Sequence, residues 1–216
     1  MGNAAGNFPA AISPKHEVVY MNATLRWTSA DLEVMPDNGK RYEIIDGELY
    51  VSKSPTFHHQ FACGQIHTAL NVWSQETGLG MANFGTGVIF ADDDDVIPDV
   101  VWISGDRLKQ ILGKDGHFHA APDLVVEVLS PGGANEKRDR ESKLKLYSRR
   151  GVLEYWIVDW VFHQITVYRR KGRGLKLHST LRATDLLTSP VLPGFQIPVR
   201  KVFDIYIDIG NHHNGK

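Results

Sequence analysis

Asp99 and Glu127 are the two acidic residues best placed to do chemistry. Each lies in a short apolar run behind a proline, PDVVWI over 98–103 and PDLVVEVL over 122–129. Both runs are rich in Val and Ile and bounded by Pro, Gly and Ser, which predicts strands. A carboxylate buried among such neighbours is costly unless something compensates it. A divalent ion can compensate two carboxylates on adjacent strands, which lie about 4.8 Å apart. Alternation along a strand puts Asp99 on one face with Val101 and Ile103, and Glu127 with Val125 and Leu129. With an ammonium nearby to orient a metal-acidified water or offset transition-state charge, such a pair suits phosphodiester hydrolysis.

Other residue sets invite different chemistry and fit it less well. His59, Cys63 and His67 recur every fourth residue on one expected helix. The outer two are then about 12 Å apart along the axis, awkward for one tetrahedral zinc ion. Cys63 is read as packing. His59 is read as a helix-start residue either near the site or on the surface. The run Asp92–Asp95 lacks the alternating ligands and central Gly of a calcium loop and is read as a solvated hairpin tip. Gly85-Thr86-Gly87 lacks the length and the Lys of a phosphate-binding loop.

The elements that must position the acidic pair follow from local signals. Thr28 or Ser29 caps a short helix over 30–35, stopped by Pro36. Residues 41–51 form a hairpin around Asp46-Gly47. A long helix over 56–77 carries Ile66, Ala69, Leu70 and Trp73 as its apolar stripe and stops at Gly78. Residues 87–91 are read as a strand that pairs in a hairpin with the Asp99 strand, and 105–112 as a short helix. Beyond Glu127, Ser130-Pro131-Gly132-Gly133 breaks the chain. A helix over 136–150 turns Leu144 and Tyr147 inward and ends at Gly151. Strands over 153–159 and 164–169 form a further hairpin. The segment containing Pro190, Pro193 and Pro198 is read as irregular structure lying on the domain. The whole predicts an α/β (α+β) chain, a mixed sheet flanked by helices. Residues 25–208 are expected to form one domain, with 1–24 poorly ordered and 209–216 a tail.

Composition bounds the function. The 216 residues, 42% hydrophobic, suffice for one core. A single cysteine excludes an internal disulfide and suits a reducing cytoplasm. No run has the apolar length of a membrane span, and the N-terminus lacks a secretory apolar core. The net charge of −1 argues against a generic basic nucleic-acid binder. Yet residues 136–182 hold 13 Lys and Arg against 5 Asp and Glu. That basic segment either contacts a polyanion, with Arg149 and Arg150 as phosphate contacts, or simply coats an exposed helix and hairpin.

Six segments occur in an order that resembles the Uma2 family, restriction-endonuclease-like proteins of the PD-(D/E)XK nuclease superfamily. They are YEIIDGEL (42–49), SPTFHHQ (54–60), IPDVVWIS (97–104), PDLVVEVLSP (122–131), KLKLY (143–147) and GVLEYWIVD (151–159). The resemblance covers about residues 27–205 and implies a mixed-sheet core in αβββαβ order with extra hairpins around it. It implies magnesium-dependent hydrolysis of nucleic-acid phosphodiesters, with manganese as a possible substitute. Asp99 matches the aspartate of the motif and Glu127 its second acid. The motif lysine would stand at 129, where this chain has Leu. Lys143, on the following helix, matches the position where Uma2-like sequences carry a lysine instead. Glu43 matches a family glutamate and is a candidate third ligand. His59 matches a family histidine and is a candidate substrate contact.

The expectation is therefore a magnesium-dependent endonuclease acting on DNA, with Asp99, Glu127, Lys143 and Glu43 catalytic and Asp99, Glu127 and Glu43 holding the metal. A homodimer would cut both strands of a duplex. The alternative, favoured by Leu129, is a nuclease-fold protein that binds nucleic acid or a protein partner without cutting. Hydrolysis of another phosphoester is a third reading.

Overall fold

The computed structural model describes Met1 and residues 25–207. The expectations for 209–216 and, apart from Met1, for 1–24 lie outside the described residues.

Local signals account for the first half of the chain. Helix α1 (Ser29–Glu33) starts at Thr28, whose backbone N–H and hydroxyl both reach the Asp31 carboxylate at 2.8 Å. Strands β1 (Arg41–Ile45) and β2 (Glu48–Ser52) form the expected hairpin. Asp46 and Gly47 take φ of +55° and +75°, the left-handed pair that tight hairpin turns need. Helix α2 (Phe57–Thr77) is capped by the Thr56 hydroxyl, which accepts from the His59 N–H at 3.3 Å, and ends at Gly78 with φ +68°.

Strand β3 (Gly80–Phe84) has no alternating pattern and adds an element that the sequence does not predict. It pairs antiparallel with the strand over Val100–Ser104, and a Cβ at Gly80 would come within 2.2 Å of the Ile103 carbonyl oxygen, so only glycine allows that approach. Strands β4 (Val88–Ala91) and β5 (Asp94–Val96) form a hairpin. This corrects the expected pairing of 87–91 with the Asp99 strand. Pro98 has no N–H to give a ladder, so the sheet stops there. The chain then enters a different sheet as β6 (Val100–Ser104).

Helix α3 (Gly105–Ile111) leads to β7 (Leu124–Val128), every residue of which is buried. The next helix is not one regular α-helix. It comprises α4 (Gly133–Lys137), a π-helical segment over Arg138–Ser142 and α5 (Lys143–Arg150), which ends at Gly151 with φ +99°. Strands β8 (Glu154–Asp159) and β9 (Gln164–Lys171) form the expected hairpin. The later segment forms strands, where irregular structure was expected. Strand β10 (Gly174–Arg182) pairs with β9, and β11 (Leu186–Ser189) pairs with β12 (Leu192–Pro198). Its prolines fall in a turn or in a two-stranded sheet, where a missing ladder bond is tolerated.

The larger sheet runs β10-β9-β8-β7-β6-β3, and a second sheet runs β2-β1-β5-β4. Only β7 and β8 are parallel within the larger one, joined through the helix carrying Lys143. The sequence α2, β3, β6, β7, α5, β8 is the αβββαβ order expected. On one face of that sheet, Val100, Trp102 and Val126 pack with Ala62, Ile66 and Leu70 of α2. On the other, Val101, Val125 and Ile157 pack with Leu146 and Tyr147 of α5 and with Ile45 and Val96 of the second sheet. Among the described residues no helix is long and apolar enough to cross a membrane.

Candidate functional site

Strands β6 and β7 pair in the register Val100↔Val126 and Val101↔Val125. Continuing that register by one residue sets Asp99 opposite Glu127, on the face shared with Val101 and Val125. Asp99 is held from three elements. The Val128 N–H donates to Oδ2 at 2.9 Å, His59 Nε2 lies 3.2 Å from Oδ2, and Arg41 Nη1 lies 3.0 Å from Oδ1. Burial opposes ionisation here, but the His59 contact, with Lys143 and Arg41 nearby, holds the Asp99 carboxyl well below the usual range.

Glu127 is 2% exposed. Its Oε1 accepts from Lys143 Nζ at 2.9 Å and from the Tyr147 hydroxyl at 2.6 Å. Burial, opposed by Lys143 and reinforced by Asp99, Asp139 and Glu43, pushes Glu127 up to about 8. Glu43, on β1, sends Oε1 to within 2.9 Å of Lys143 Nζ and accepts the Ile97 N–H at 2.9 Å. Its Oε2 lies 3.5 Å from Arg138 Nη1 yet has no hydrogen-bond partner, the one such buried side-chain atom among the described residues. Burial raises the Glu43 carboxyl, but Lys143 and Arg138 outweigh it and bring it below its ordinary value.

Lys143 is fully buried. The π-segment explains how a lysine of a highly charged helix comes to face inward. The wider turn re-phases the helix, so that Arg138 and Asp139 are buried on the same element as Lys143, Leu146 and Tyr147. Lys145 is exposed. The neighbouring carboxylates hold the Lys143 ammonium above its ordinary value although burial opposes it.

The expected residues thus divide. Asp99, Glu127, Lys143, Glu43 and His59 form one connected cluster. Arg149 and Arg150 stand elsewhere: Arg149 lies 2.7 Å and Arg150 2.5 Å from the carboxylate of Asp94, and Arg149 also pairs with Asp46. Asp94 is itself buried, so the run Asp92–Asp95 is not wholly a solvated tip. A buried carboxylate there requires cations, and the end of α5 supplies them. His67 packs edge-on against Phe84 and takes no part in a zinc set with Cys63. Instead His59, Cys63 and Asp99 have ligand atoms within 4.8 Å of one another, although burial drives the Cys63 thiol far up.

Three site residues, Arg41, Arg138 and Asp139, had no sequence signal of their own, and Tyr147 was expected only as packing. Arg41 binds Asp99. Arg138 is buried against Asp139 at 2.9 Å and Ser52 at 2.6 Å. Asp139 completes the charge network, and Tyr147 is a hydrogen-bond donor to Glu127 as well as packing. A cavity of about 370 Å³ opens over the cluster, lined by Arg41, Lys53, His59, Asp99, Glu127 and Arg138 among others. The chemistry available is therefore hard-oxygen ligation beside several cations.

The sequence profile of the Uma2 family, described as "Putative restriction endonuclease", matches residues 29–200. The chain belongs to the Uma2 family. A solved structure from Anabaena variabilis ATCC 29413, described as a "putative nuclease belonging to DUF820", superposes on this Uma2 chain with a TM-score of 0.66. It is 18% identical, and the alignment covers 82% of this chain and 97% of that one, a likeness of fold. No curated protein matches the sequence. The family and the solved neighbour both bear nuclease descriptions, and the mixed α+β fold is that of the neighbour.

The buried charges of this Uma2 chain set a pH dependence. A carboxyl raised from 4.5 to about 8 holds an extra proton in the folded state, so its contribution is full below 4.5 and is lost as pH rises towards 8. His59, also raised in the fold, acts in the same direction above its ordinary value of 6.5. Asp99, lowered, contributes throughout that window. The melting temperature of the metal-free protein should therefore fall between about pH 5 and pH 8. Thermal scans in a chelating buffer test this, and Glu127→Gln should flatten the slope. An equal slope in that variant would refute the assignment to Glu127.

Proposed function

We propose that this Uma2 chain is a magnesium-dependent endonuclease that hydrolyses DNA phosphodiesters, with manganese able to substitute. The observation that carries the reading is the facing of Asp99 and Glu127 at the cavity, with the Lys143 ammonium 2.9 Å from Glu127. The residues present fit the metal. Asp99, Glu127 and Glu43 offer only carboxylate oxygens, the ligands a hard cation prefers, and Glu43 Oε2 is a buried acceptor left without a donor. These three would hold the ion. When bound, magnesium supplies Lewis acidity towards a phosphoryl oxygen and a more acidic water.

The chain's own side chains do the rest. His59, with Arg41, favours the ionised form of Asp99. Lys143 holds Glu127 and Glu43 towards each other and provides a fixed positive charge against that developing on the phosphoryl group. Tyr147 fixes Glu127 from the other side. The non-cutting alternative rests on Leu129, and an ammonium delivered from α5 to the second acid weakens it. Residues 25–208 act as one unit in this reading. A two-fold dimer would present two such sites to a duplex, in a cytoplasm that keeps Cys63 reduced.

A cleavage screen over plasmid, linear, single-stranded and branched DNA, and RNA, with magnesium or manganese, tests the proposal. Cleavage of at least one DNA substrate is expected, abolished by chelation and by Asp99→Asn. Failure to cut any substrate, together with no manganese binding by calorimetry, would replace the enzyme by the non-cutting binder.

A further inference from the structure

The hairpin β1–β2 ends in the register Arg41↔Ser52. Immediately outside the two strands, at this open end, stand Lys40 and Lys53. Like charges brought close at the end of a hairpin repel. Both lysines are exposed, and both line the same cavity as Asp99 and Glu127. Among the described residues neither ammonium has a carboxylate partner, whereas Arg41 and Arg138 beside them are both paired. Ser52 and Ser54, also lining the cavity, add hydroxyl donors at its mouth.

We infer that Lys40 and Lys53 form a phosphate clamp that seats the backbone of the nucleic-acid strand over the acidic pair. The juxtaposition is unfavourable alone and becomes favourable once an anion lies between the ammoniums. The clamp is also well anchored. Arg41, next to Lys40, reaches Asp99, and Ser52, next to Lys53, accepts from Arg138, so the hairpin end is tied to the acidic cluster on both strands. Arg149 and Arg150, spent on Asp94, leave phosphate recognition to this end of the cavity. A clamp on the backbone holds phosphates beside the scissile one and by itself reads no base, so its ligand is the phosphodiester backbone of a polyanionic strand. This inference rests on the nuclease reading of the same site.

Salt titration of duplex binding by the full chain, in chelating buffer so that nothing is cut, tests the clamp. Each lost phosphate contact lowers the slope of log affinity against log salt by about 0.9. Lys40→Ala/Lys53→Ala should therefore flatten the slope by about 1.8, with the melting temperature kept. Lys109→Ala/Lys201→Ala removes the same charge from other exposed positions and should leave the slope as it is. Should the first pair fold poorly, Lys40→Gln/Lys53→Gln keeps the side-chain length and is expected to give the same result. An unchanged slope in a protein that binds and cuts DNA overturns the clamp and spares the nuclease. If the protein neither binds nor cuts nucleic acid, inorganic pyrophosphate is the probe. A melting-temperature rise lost in the double variant keeps the clamp while the nuclease reading falls, and no rise overturns both.

Discussion

Glu127→Gln is expected to reduce the proposed metal-supported cleavage by about a thousandfold or more, while leaving the metal-free protein as stable as before or more so. The carboxyl is 2% exposed and lies within reach of three further acids, so a neutral amide replaces a group that the fold already keeps protonated up to about 8 and removes the repulsion that arises once it ionises. The amide oxygen can still accept from Lys143 and Tyr147, which preserves packing. What it loses is the negative charge that the proposed divalent ion opposite Asp99 would require. Manganese calorimetry and a cleavage assay check the two halves separately. Asp123→Asn is the informative control. Asp123 also follows a proline, but it accepts from the Ser104 N–H at 2.8 Å and pairs with Arg107 at 3.2 Å, at the far end of β7. Its loss should lower stability and leave metal affinity alone. Undiminished manganese binding by the Glu127 variant would remove that residue from the site.

Lys143→Met should have the second large effect, on both the proposed activity and folding. Cleavage should drop by about a hundredfold to a thousandfold, the usual scale for one lost charge contact to a transition state. Unfolding free energy should drop by about 3–5 kcal/mol, because Glu43 and Glu127 are left in the interior without their shared cation. Magnesium should restore much of that stability, since it neutralises the same carboxylates; chemical denaturation with and without the ion reads this directly. Lys145→Met, on the exposed side of α5, should change neither quantity. If the Lys145 variant proves the sensitive one, or if both are silent, the lysine assignment to α5 is wrong.

Much of the scaffold was legible because its signals are local. Asp46-Gly47 specifies a tight turn through its backbone preference, Thr56 and Gly78 bound α2, and Gly151 ends α5, each through a cap acting within a few residues. The acids Asp99 and Glu127 stood out because charge inside a Val-rich run is costly wherever the chain goes. Lys143 was singled out only through the family resemblance, since its helix carries many similar cations.

The rest depended on distant partners. Strand β3 is held by β6 and by the absence of a side chain at Gly80, neither of which produces an alternating pattern. Pro98 was visible as a breaker, but not that the chain beyond it changes sheets. The π-segment that turns Lys143 inward depends on what the helix meets: Ser52 and Glu43 on the hairpin and Glu127 on β7. Arg149 and Arg150 look as able to bind phosphate as any exposed pair until folding brings up Asp94, far away in sequence, to occupy them. By itself the sequence determined which segments turn, which are capped and which acids require compensation, because those energies arise between near neighbours. Tertiary structure alone decided which cation meets which carboxylate, because an ion pair depends on separation in space, and folding brings Glu43, Asp99, Glu127 and Lys143 together from four separate elements.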